Sequence, residues 1–225
     1  MQVGFEIHEG VALITMDDGK KNAITPTAAQ EILAALEDAE ANAGALVLAG
    51  RPGAFCAGFD LATMTSGDME SIASLATGGA RILFKLYSMG MPLVAAGTGH
   101  AFTIGALWLL ACDTRIGERG SYKFGMNETV MGMVLPDWAL EVLKARVNPM
   151  LFLPVVTQAV TLGPEEAVQA GFLDKLVDEG QAVEIAQSTA AQLAQLPADA
   201  YAGNKLATRK QALEIMSANL SKVAL

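Results

Sequence analysis

The sequence predicts an α/β fold: a core of alternating short strands and helices, followed by a helical C-terminal appendage. Three observations carry this. Short runs of Val, Ile, Leu and Ala bounded by glycine alternate with amphipathic segments through the first half of the chain. Helical segments dominate the last third. The length, 225 residues, and the apolar content, 52%, suit one sizeable core and argue against disorder, as does the mean hydropathy of +0.36. The core is expected over residues 1–180, with a separate C-terminal helical segment over residues 181–225.

Taken in order, "VGFEIHEGVALITM" reads as a hairpin turning at "HEG". "TPTAAQEILAALEDAEAN" reads as a helix, because Thr25 can cap it, Pro26 suits its first turn, and Ile32, Leu33 and Leu36 share a face. "GALVLAG" is a short buried strand, and "RPGAFCAGFD" is expected to be a loop marked by glycine and proline. Residues Met69 to Met89 have helical character. "PLVAAGTG" is a second buried strand, from which a loop opens the apolar helix "IGALWLLAC". "TRIG" and "YKFGM" are short strands. Helices are then expected in "PDWALEVLKARV", "PMLFLPVVTQ" and "GPEEAVQAGFLDKLV", from Gln181 to Leu196, and from Asp199 to about Asn219. Neither a fixed-period repeat nor a linker between two domains is visible.

The bulk numbers exclude several classes of function. A formal charge of -9 argues against nucleic acid or an anionic membrane as partner. The longest apolar run is far too short to span a bilayer. Cys56 and Cys112 stand far apart, so neither a disulfide framework nor a Cys/His metal site is expected. The N-terminus "MQVGFEIHEG" has no secretory leader pattern. A reducing, cytoplasmic location follows as the default.

Three stretches could carry chemistry. In "YKFGMNETVMGMVLP", Glu128 is one acid among apolar neighbours, where a carboxylate costs free energy unless solvated or paired. It either faces water or acts as a base with a raised pKa. In "AGTGHAFTIGALWLL" a buried helix begins near Ile104, and the free N–H groups of a helix start can hold a developing oxyanion. In "RPGAFCAGFDL" the small residues Gly53, Ala57 and Gly58 let backbone approach a ligand closely. Together these could form a proton-abstraction site, with two backbone donors for an enolate oxygen and a carboxylate for the proton.

Taken with the order strand, loop, buried helix, "CD" and glutamate before "MGMVLP", "RPGAFCAGFDL" resembles the crotonase (enoyl-CoA hydratase/isomerase) superfamily. The likeness runs from the first hairpin through "LGPEEAVQAGFLDKLV". Within that superfamily, "FGMNETVMGMVLPDW" and "NKLATRK" are most similar to the mitochondrial type of Δ3,Δ2-enoyl-CoA isomerase. The resemblance implies a spiral core of ββα units and an acyl-CoA substrate, with no cofactor beyond the CoA carried by that substrate. It also implies a homotrimer or dimer of trimers, although the C-terminal segment here departs from the family in being shorter than usual.

By the same resemblance Glu128 takes the place of the catalytic glutamate, and the backbone N–H groups of Phe59 and Ile104 become the oxyanion donors. Cys56 and Ala57 would lie at the adenine end of CoA. Family hydratases carry a second glutamate where this chain has Leu107. One carboxylate in a dry pocket suits proton transfer between carbons, so the reading favours shifting a double bond from 3-enoyl-CoA to 2-enoyl-CoA. Hydration, thioester hydrolysis and acyl-CoA binding with little activity remain the alternatives. The family usually has glycine where Ile104 stands, so this side chain must turn away from the thioester.

Other residues divide between function and structure. Asn127 orients Glu128 or makes a turn. Trp108, Met126, Met131, Met133 and Trp138 line an acyl channel or fill the core. His100 is read as structural, and Asp60 and Asp113 as caps. Lys20, Lys21, Arg51, Lys205, Arg209 and Lys210 are read mostly as solvated, a few of them available to CoA phosphates.

Overall fold

The computed structural model describes residues 2–223, and side chains over 3–220. In chain order the elements are β1 (Gln2–His8), β2 (Val11–Asp17), β3 (Ala23–Ile24), α1 (Pro26–Asn42), β4 (Ala45–Gly50), β5 (Gly53–Cys56), β6 (Gly58–Phe59), α2 (Leu61–Met64) and α3 (Met69–Ser88). Then come β7 (Leu93–Gly97), β8 (Gly99–Phe102), α4 (Ile104–Ala111), β9 (Thr114–Glu118), β10 (Phe124–Gly125), α5 (Asp137–Arg146) and α6 (Pro149–Thr157). The last elements are α7 (Pro164–Ala170), β11 (Lys175–Val177), α8 (Ala182–Leu193) and α9 (Ala198–Val223).

The β1–β2 hairpin is antiparallel, with both turn residues, Glu9 and Gly10, at positive φ. That backbone matches the twist of two paired strands. The larger sheet runs β1-β2-β4-β7-β9-β11, parallel after the hairpin. A smaller parallel sheet runs β10-β8-β5, and β3 pairs with β6. Thus β4, β7 and β9 lie in the large sheet and β5, β8 and β10 in the small one, with helices closing the turns of the spiral. This is the ββα spiral that the family resemblance implies.

The central strands are buried on both faces. Every residue of β4 and β7 is buried, which is why they read as unbroken apolar runs. One face packs Ile14, Leu46 and Leu48 against α1 and α3. The other packs Val11, Val47, Val94 and Ile116 under α8, which presents Ala182, Ala186 and Ala190. Alanine at each of these positions lets α8 lie close to the sheet. Thr25 caps α1 as expected, accepting from Ala28 N at 3.2 Å.

Three expectations need correction. "RPGAFCAGFD" is not wholly loop, because Gly53–Cys56 pairs with β8 and Gly58–Phe59 with β3. The segment after "PLVAAGTG" likewise holds strand β8. "GPEEAVQAGFLDKLV" is not one helix. Gly171 adopts a left-handed φ of 85° and ends α7, and β11 then joins the sheet edge beside β9. Among the described residues, no helix is long and apolar enough to cross a membrane.

Candidate active site

Helix α4 is buried at all eight positions, so it is apolar all round rather than on one stripe. Its first residue, Ile104, offers an N–H with no acceptor inside the helix. The residue before it, Thr103, sits at φ 51° and ψ −123°, a strained conformation for a residue with a Cβ. Its backbone N–H donates to Gly125 O at 3.1 Å. The helix start is thereby tied to β10, the strand that leads to Glu128.

Glycines let the surrounding segments meet. A Cβ on Gly58 would lie 2.1 Å from Thr103 Oγ1, so only glycine permits the loop before Phe59 to touch the loop before Ile104. A Cβ on Gly105 would lie 2.5 Å from Cys56 Cβ, so the first turn of α4 seats directly on β5. Gly79 of α3 faces both the Phe59 ring and Ile104 Cγ1, where its own Cβ would meet them at 2.5 and 3.1 Å. The Ile104 side chain therefore packs into the core toward α3, and the residue is 2% exposed. Its extra bulk relative to glycine is taken up there.

Glu128 enters from a tight turn held by its backbone. Met133 N donates to Glu128 O at 2.8 Å, Met131 N to Asn127 O at 3.2 Å, and Thr129 Oγ1 to Val156 O at 3.0 Å. The turn closes at Gly132, whose φ is 70°.

Ala57, Phe59, Ile104, Leu107, Asn127 and Glu128 line a cavity of about 270 Å³, whose remaining wall is largely apolar, with Met64, Met131, Met133, Leu135 and Trp138. Glu128 is the one ionisable side chain among the described residues that line it. Its Oε2 is buried and has no hydrogen-bond partner among the described residues. Burial raises the Glu128 pKa above the usual carboxylate value, opposed by its own backbone N–H. An acid in this state can take up and release a proton in an apolar space.

Cys56 and Trp108 do not join the cavity wall. Cys56 is fully buried, accepts from Gly58 N at 3.4 Å, and has its thiol pKa pushed up to about 12 by burial. Trp108 is 0% exposed, and its indole donates to Gly79 O at 3.2 Å, fixing α4 on α3. Its place on the side of α4 that meets α3 makes it core. Asn127 reaches the cavity, but Glu128 Oε2 receives no hydrogen bond from it. Asp60 caps α2 by accepting from Thr63 N at 2.8 Å. His100 accepts from Lys123 N at 3.0 Å, and its pKa is lowered by burial and by Lys21 and Lys123.

Sequence reading passed over Asn22. It is fully buried at φ 56°, and its Nδ2 donates to Met16 O, Ala54 O and Phe55 O at 2.8, 2.9 and 3.1 Å. It thus pins β5, and with it the Phe59 loop, to the end of β2. The available signal was an Asn beside a lysine-rich turn, since Asn tolerates the left-handed region.

This fold and cavity have known counterparts. The family model described as enoyl-CoA hydratase/isomerase matches residues 6–221, so the chain belongs to the enoyl-CoA hydratase/isomerase family. The chain is 29% identical over 205 residues to human "Enoyl-CoA delta isomerase 1, mitochondrial", covering 89% of this chain and 68% of that protein. The crystal structure of human mitochondrial delta3-delta2-enoyl-CoA isomerase superposes with a TM-score of 0.93 at 27% identity, covering 100% of this chain and 90% of that one. A Mycobacterium ulcerans structure described as an enoyl-CoA hydratase, EchA3, superposes with a TM-score of 0.94 at 34% identity, covering 99% and 97%. The protein is an enzyme of this family, and both reaction names occur among its relatives.

Proposed function

We propose that the enzyme is a Δ3,Δ2-enoyl-CoA isomerase. The observation that carries this is the pairing of one desolvated acid, Glu128, with Leu107 on the same wall where the resemblance puts a hydratase's second glutamate. Hydration requires a water held for attack. A cavity with one carboxylate and otherwise apolar walls favours moving one proton between two carbons.

The thioester oxygen accepts from the N–H groups of Phe59 and Ile104. Ionised Glu128 takes the proton from C2, and the C–H electron pair forms C1=C2 while the carbonyl π pair moves onto oxygen. The two donors and the N-terminus of α4 stabilise this dienolate, in which charge has moved onto the oxygen they face. The carbonyl then re-forms, C2=C3 forms, and the C3=C4 π pair takes the proton back from Glu128 at C4. Atoms and charge balance, and CoA is needed only as part of the substrate. Exposed Lys20 and Lys21, next to Ala57 through its N–H to Lys21 O, are proposed partners for CoA phosphates.

We further propose a homotrimer or dimer of trimers in the cytoplasm. Val130, Val134, Met150 and Leu153 are exposed where the Glu128 turn meets α6, and such a face favours burial against another copy.

The test is turnover of 3-enoyl-CoAs of several chain lengths, read as formation of the conjugated thioester. Glu128→Gln should lose about 10²–10⁴-fold in kcat. With 2-enoyl-CoA the enzyme should give little 3-hydroxyacyl-CoA and release little free CoA. A Gln variant working at the wild-type rate, or hydration matching isomerisation, would sink this reading.

A further inference from the structure

We propose that the cavity between the C-terminal end of α5 and α9 is a phosphate-binding site, distinct from the acyl-CoA cavity. This polar cavity, about 310 Å³, is lined by Asp113, Arg146, Tyr201, Lys205, Thr208 and Arg209, together with Tyr87 and Ala145. It shares none of these residues with the wall around Glu128.

Three cations meet one carboxylate there, leaving a surplus of two positive charges in a chain whose formal net charge is -9. Asp113 is saturated. Its Oδ2 accepts from Leu93 N, Tyr201 OH and Lys205 Nζ at 2.9, 2.9 and 2.7 Å, and its Oδ1 from Arg209 at 2.7 Å. The nearby Glu141 is paired with Lys144 at 2.8 Å. Arg209 also donates to Tyr87 O and Ala111 O, and Arg146 spends Nε and one terminal nitrogen on Leu110 O and Cys112 O. Capping these carbonyls explains where the guanidinium groups sit. It does not neutralise them, because backbone dipoles carry only partial charge.

The other terminal nitrogen of Arg146, Nη1, takes no part in these two bonds. Burial and the neighbouring cations Arg115 and Arg209 lower the Arg146 pKa. Lys205 is pushed down to about 8, chiefly by burial, with Arg209 adding to this and Asp113 opposing it. The cluster is thus held with uncompensated positive charge facing the cavity. The Arg146 guanidinium and the Lys205 ammonium, which keeps one N–H beyond those given to Met91 O and Asp113, form a donor set suited to a phosphate dianion.

The test uses inorganic phosphate on the full chain at constant ionic strength, with chloride and acetate as comparison ions. Calorimetric titration should show saturable binding, and phosphate should raise Tm where chloride and acetate do not. Thr208→Glu puts a carboxylate beside the cations without touching Asp113, since Thr208 bonds only to Lys205 O in its own helix. That variant should abolish binding while staying folded. Arg146→Gln should weaken it at least about tenfold. Repeating the titration with a simple phosphate monoester, phenyl phosphate, tells free phosphate from an ester: tighter binding of the ester, lost in Thr208→Glu, identifies an ester as the source. The proposal fails if phosphate shows no saturable binding, if acetate or chloride acts equally, or if Thr208→Glu binds phosphate as wild type does.

Discussion

A buried carboxylate oxygen without a partner is costly, and at Glu128 the cost has a sign that can be measured. Desolvation raises its folded pKa above the value in the unfolded chain. The folded state therefore holds its proton more tightly, and stability falls as pH rises from the unfolded pKa through the folded one. Below both values the penalty is absent. Glu128→Gln should accordingly match or exceed wild type in Tm at pH 7, and its relative advantage should shrink on acidification toward pH 4. A Gln variant clearly less stable than wild type at pH 7 would mean that the carboxylate has stabilising partners in solution. For the same reason, kcat/KM should lose activity on the acid side with an apparent pKa above that of an ordinary glutamate, because the base must start ionised.

At the scale of elements, the site depends on how closely α4 sits on β5 and α3. Gly105→Ala would place a methyl within 2.5–2.7 Å of Cys56 Cβ, O and Sγ. Cys56 is fully buried in a strand, so the helix start must move instead. The expected result is a loss of about 1–3 kcal/mol in urea unfolding. Turnover should fall by more than a stability loss alone explains, because the Ile104 N–H moves with the helix. Wild-type kcat in a folded Gly105→Ala protein would show that this contact does not set the donor position.

This close approach also marks what could be read from sequence. A lone acid and an apolar helix start are local patterns open to a plain structural reading, and it took the family resemblance to bring Glu128 and Ile104 to one cavity. Strands β5, β6 and β8 were not, because small and glycine-containing segments of two to four residues carry no periodicity, and their pairing partners lie far along the chain. Cys56 and Trp108 were misplaced for a related reason. Sequence gives their neighbours along the chain but not which face of β5 or α4 meets the cavity.

At the scale of the molecule, α9 closes the structure by returning to the C-terminal ends of α3 and α4. Tyr201, Lys205 and Arg209 recur every four residues on one face, and from sequence the two basic residues read as solvated. In the structure Lys205 and Arg209 are 8% and 5% exposed, and both converge on Asp113. Arg209 also lies over the Tyr87 ring, 4.2 Å from its centroid. Asp113 in turn accepts from Leu93 N at the start of β7, so one carboxylate joins the large sheet to the last helix. Asp113→Asn keeps the shape but leaves two buried cations facing a neutral amide, one of whose groups must point a donor at them. Removing one partner of a buried ion pair costs about 3–5 kcal/mol, far more than an exposed pair would. The variant should therefore unfold at a much lower urea concentration, and protease should cut α9 before the sheet. Exposed Lys144→Gln, whose partner Glu141 is only an i,i+3 neighbour, should change the midpoint hardly at all. If Asp113→Asn and Lys144→Gln prove equally mild, the Asp113 cluster does not fasten α9, and the apolar contacts of Met216 and Leu213 with the core must hold it instead.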